Sequence, residues 1–285
     1  MLSACAGLIF AQFHLFGNTT ETYLFGTSAF NWMFMLWKSS GIFGGSIYYL
    51  GWIIPFASLW LIHLRRGDLA RSNRKVFWPG LLLVILAIFL HWAGARAQQT
   101  RLSLLAFILL LWAIPLFLYG WSLARQLIFP IGLLVFCVPL NFLDVLTFPM
   151  RVLAAGAAEL LASGLGVVVE RAGSVIRLTD PAVSLNGADP ASGLATLLTM
   201  IAVTMIAGAR LRDPWWLRIL LPVLVFPLML FTGALRLLTG ILLAKWTTPG
   251  IALSFHQQGG LLFMLLSTCA LLVVIRLRMS RLLPS

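Results

Sequence analysis

The chain has 285 residues, of which 61% are hydrophobic and 10% charged, with a mean hydropathy of +0.99 and a formal net charge of +12. That balance leaves too little polar surface to cover a soluble globule, so composition predicts a polytopic membrane protein. The basic residues fall in short clusters between apolar runs, the pattern that orients membrane spans, which sets nucleic-acid binding aside.

A crossing helix needs about 20 mostly apolar residues. That ruler predicts about eight, near 2–17, 45–63, 77–95, 102–121, 127–147, 190–209, 216–232 and 259–276. The first lacks the basic start and small-residue cleavage site of a signal peptide and reads as a retained span. The expected fold is all-α: a polytopic transmembrane helical bundle forming one integral-membrane domain over 1–285, with a small cap at about 148–189. Cys5, Cys137 and Cys269 stand singly in apolar runs without metal-ligand spacing, so they read as packing residues, and neither metal nor cofactor is expected.

Alternate loops set the orientation. One side carries Arg65, Arg66, Arg71, Arg74, Lys75, Arg125, Arg210, Arg212, Arg218 and the tail residues Arg276, Arg278 and Arg281, against the acids Asp68 and Asp213. The other side has fewer cations and more acids, so both termini are expected in the cytoplasm. Arg236, His256 and the loop 148–189 then lie outside.

The first half of that loop, PMRVLAAGAAELLASGLGVVVE, suits an amphipathic interfacial helix broken by Arg151 and Glu159. The second half, RAGSVIRLTDPAVSLNGADP, alternates β-branched residues between Gly, Pro, Asp and Asn, which predicts a small hairpin or irregular cap. The cap leads into ASGLATLLTM, where a helix N-terminus with Asp189 and Ser192 nearby suits a nucleophile or an anion. Ionisable groups at a span's edge are costly and are kept mainly where they pair, line a wet cavity or act on a substrate. Arg236 in FTGALRLLTG and His256 in SFHQQGGLLF are such groups, predicted near one water interface.

These residues resemble the exosortase/archaeosortase family of membrane transpeptidases that process C-terminal sorting signals. GGSIYYLGWIIPFASLWLIHLRR looks like its early span, with Leu50 where a His usually stands, and YGWSLARQLIFPIGLLVFCVPL like its central segment. LGVVVERAGSVIRL resembles its extracytoplasmic lead-in. The family's Cys-Ser-Gly, Arg and His motifs are matched in order by Ala191-Ser192-Gly193, Arg236 and His256. Ala191 stands at the place of the nucleophilic Cys, Gly233 where an Asn commonly precedes the Arg, and Gln257 where an acid commonly follows the His. A Cys→Ala substitution, a natural pseudoenzyme and a serine enzyme using Ser192 each account for Ala191.

The resemblance implies a cysteine mechanism at position 191, with Arg236 on the oxyanion or scissile carbonyl and His256 as general acid and base. Ser192, Gly193, Asp189 and Arg177 are the expected substrate-binding residues. The implied partner is an exported protein whose tail carries a short motif such as Pro-Glu-Pro, one hydrophobic helix and a basic cluster, presented in a bacterial or archaeal inner membrane. A Glu in that motif is expected to meet Arg236, Arg151, Arg171 or Arg177. Simpler roles compete: an outer arginine also serves as a snorkelling anchor, and His14 and His91 read as interfacial residues. A transporter would carry charges near the bilayer midplane or repeated halves, and this sequence shows neither. A non-catalytic protein that binds sorting-signal tails or assembles export machinery shares the same sequence features.

Overall fold

The computed structural model describes residues 2–20, 22–38, 50–138, 143–186, 194–210 and 215–256, with 263, 266, 267, 269, 270 and 273. The chain packs as two compact units, one holding the first eight helices (Met1–Ser40 and Tyr48–Leu140) and the other Gly41–Ile47 with Asn141–Ser285.

In the first unit, α1 (Leu2–Phe16), α2 (Thr22–Phe25) and α3 (Ala29–Lys38) precede α4 (Leu50–Leu64) and α5 (Arg66–Arg71). Next come α6 (Pro79–Arg96), α7 (Thr100–Tyr119) and α8 (Trp121–Leu133), the last ending in a 3-10 turn, Leu134–Cys137. Both α6 and α7 are long and apolar enough to cross a membrane. Only Gly120, at φ +82°, separates α7 from α8; a Cβ there would strike the Lys75 carbonyl, so both the backbone angle and the space select glycine. Pro130 inside α8 has no N–H for the Gln126 carbonyl one turn back. Arg65 supplies the missing donor, with Nη1 at 2.8 Å from that oxygen. His91, expected at an interface, is instead buried, tilted against the Phe13 ring with the Gln12 amide 3.5 Å from its Nε2.

The second unit starts with α9 (Leu143–Gly164), followed by β1 (Glu170–Ala172), β2 (Val175–Leu178) and β3 (Val183–Asn186). The strands form an antiparallel meander in the order β1-β2-β3, the small β structure expected at the cap. Then follow α10 (Leu194–Arg210), α11 (Trp215–Trp246) and a helical stretch at 249–256. Strand alternation turns Ile176, Leu178, Val183 and Leu185 inward, where they join Ala155, Ala158 and Ala162 of α9 and Leu237, Ile241 and Ala244 of α11 in one core. Gly240 gives Leu185 its seat: a Cβ on Gly240 would lie 3.1 Å from the Leu185 Cδ1.

Two expected spans are corrected. The run 127–147 is not one helix: α8 gives way to the 3-10 turn at Leu134, and α9 starts at Leu143. Pro130 and Pro139 fall within that run, and proline resists helix continuation. The span expected at 216–232 continues through Arg236 to Trp246, and Pro222–Trp246 is by itself long and apolar enough to cross a membrane. One arginine does not end a helix when its charge is housed among neighbouring helices. The helix α3 was not expected, because its 10 residues fall short of the crossing length.

Candidate functional site

Arg236 projects from α11 and is 3% exposed, which sets the snorkelling-anchor reading aside. His256 lies in the helical stretch after α11 and is 2% exposed. The two meet: Arg236 Nη1 donates to the His256 carbonyl at 3.5 Å, a long and weak bond. The His256 ring turns the other way, with Nε2 at 2.9 Å from the Asn186 carbonyl at the end of β3. A carbonyl oxygen only accepts, so Nε2 carries the proton, and in the neutral ring Nδ1 is the basic nitrogen. The chain segments that bring this about are a long helix, its C-terminal continuation and the last strand of the meander.

Arg151 is one of the four arginines expected to meet an acidic motif. The structure separates the four. Arg151 is buried at 7% exposure on α9, with Nη2 at 2.9 Å from Thr147 Oγ1 one turn earlier. Together with Met150, Ala154, Gly233 and Arg236, it lines a cavity of about 20 Å³ between α9 and α11. Arg171 is an exposed partner of Glu159, with Nε 2.6 Å from Oε2. Arg177 is exposed on the outer face of β2, away from the core that holds Ile176 and Leu178. Two buried guanidiniums thus face one cavity. The signal for Arg151 was a cation inside the Ala-rich stretch of α9, visible in the sequence but without evidence of what covers it.

Position 191 and the expected residues Ser192, Gly193 and Asp189 lie outside the described residues. Asn186, which holds His256, stands five residues before Ala191, and α10 opens at Leu194. Cys137 is buried and Cys269 exposed, both as free thiols.

Fold and site define a helical membrane protein with a buried arginine–histidine contact beside a small antiparallel sheet. The model of the transmembrane exosortase family (Exosortase EpsH) matches residues 37–273. The chain belongs to that family, whose members are membrane cysteine transpeptidases. No curated protein and no solved structure matches the chain.

Proposed function

We propose that this protein is the scaffold of an exosortase-type transpeptidase or protease acting on C-terminal sorting signals of exported proteins, held here in an inactive form by Ala191. The observation that carries the reading is the Arg236–His256 contact, anchored at Asn186 five residues before position 191. A thiolate at position 191 would attack the peptide carbonyl, and the carbonyl π electrons would move to oxygen as the C–S bond forms. The fixed positive charge of Arg236 suits the developing oxyanion. Collapse of that intermediate breaks the C–N bond. His256, as the imidazolium, gives the leaving amine its proton and then, neutral, takes one from the amine or water that resolves the thioester. An amine gives transpeptidation and water gives hydrolysis. The reaction face is extracytoplasmic, and 1–285 acts as one integral-membrane domain.

Ala191 itself favours a second reading, a non-catalytic binder of sorting-signal tails. Ala191→Cys separates the two. Cleavage of a tailed substrate by the restored protein, lost again on replacing Arg236 or His256, supports the enzyme; a restored protein that binds the tail without cleaving it supports the binder.

A further inference from the structure

Among the described residues β3 is an open edge of the meander, and its polarity follows from the register. β1 and β2 are joined by Gly173 and Ser174 between the partners Ala172 and Val175. The pair closing a two-residue hairpin exchanges its N–H and C=O groups, and successive strand residues point theirs to opposite sides. Val175 and Arg177 therefore face β1, while Ile176 and Leu178 face β3. Their partners Leu185 and Val183 return those bonds. Ser184 and Asn186 are left aiming their main-chain groups away from the sheet. The Asn186 carbonyl, which accepts from His256 Nε2 at 2.9 Å, points as this polarity requires. His256 thus closes one end of the edge, and the exposed Ser184 stands two residues before it.

An edge that presents an N–H and a C=O is a template for another strand. We propose that the β3 edge at Ser184 binds the short proline-containing motif of a sorting signal as a fourth strand, ending beside His256. The proposal rests on the functional reading above and specifies how the substrate is held. Main-chain groups of an extended segment face an edge at alternate residues. When the Glu of Pro-Glu-Pro turns its N–H and C=O to β3, both prolines turn their nitrogens away, where no donor is needed. The following proline also holds the Glu in extended conformation. Recognition through the main chain sets the register of the peptide, and the chain is delivered to the histidine at the end of the edge.

The test measures binding, so it needs no catalysis. A fluorescent synthetic tail with Pro-Glu-Pro, a hydrophobic helix and a basic cluster is titrated onto the full chain in lipid nanodiscs. Ser184→Pro deletes the outward N–H and spares the bonds to β2, and proline is compatible with an edge strand. Ser184→Ala keeps the N–H. The expected result is parent-like affinity for S184A, a loss of about tenfold for S184P, and a similar loss for a tail N-methylated at Glu on the unaltered protein. The N-methylated tail decides the matter should S184P fail to fold, and equal affinity for the methylated and plain tails overturns the proposal. If the unaltered protein binds no tail at all, the functional reading falls, and the edge proposal with it. If it binds the tail but is indifferent to both main-chain changes, only the edge proposal falls.

Discussion

His256 reaches the Asn186 carbonyl through Nε2, so main chain sets its tautomer. In the Ala191→Cys protein, His256→Ala is expected to lower kcat by about 10²- to 10⁴-fold, the range for a positioned acid–base group. Arg236→Lys should lose about 10²- to 10³-fold, because an ammonium lacks the fixed fork of donors; steady-state cleavage of a tailed substrate measures both. For recognition of an acidic motif, a Glu paired with Ser184 lies on the sheet face that carries Arg177, so Arg177→Gln is expected to weaken tail binding and Arg151→Gln, buried against α11, to leave it unchanged. Tail binding that ignores Arg177→Gln rejects that pairing. Arg236 and His256 were legible in the sequence because a polar group in an apolar stretch is expensive enough to signal itself. Arg151 was harder to place, since the face of α9 that is covered becomes evident only with α11 against it.

Among the elements, α6 and α7 were legible to within a few residues, as uninterrupted apolar stretches separated by the polar Gln98-Gln99 turn. In the sequence α11 looks shorter than it is, because Arg236 resembles the border of a span while the helix simply carries it. The reverse happened at 127–147, where apolar composition hid the end of α8 and its 3-10 turn at Leu134–Cys137. Hydropathy measures preference for an environment and does not report continuity of backbone hydrogen bonds. The contact of α9 with α11 depends on small residues: Ala155, Ala158 and Ala162 are all 0% exposed. Ala158→Leu is expected to destabilise the fold by about 1–3 kcal/mol through overpacking, read as a lower thermal midpoint in detergent. Leu185→Ala should cost about 2–5 kcal/mol by opening a cavity beneath the meander. A midpoint unchanged in both would contradict the packing described.

For the whole molecule, the asymmetry of charge predicts that the meander is extracytoplasmic and the Arg66 loop cytoplasmic. Single cysteines placed at Arg177 and at Arg66, in a chain otherwise free of cysteine, test this in intact cells with a membrane-impermeant thiol reagent. Labelling is expected at 177 and not at 66; the opposite pattern inverts the assigned orientation. Arg236 and Gly240 lie one turn apart on α11, the first touching the His256 main chain and the second seating Leu185 of β3. One rod therefore bears both the guanidinium and the rail beside it, so a thinner or thicker bilayer that tilts α11 carries the two together. Turnover by the restored protein should accordingly vary little among nanodiscs built from lipids of different acyl length, even where its melting temperature shifts.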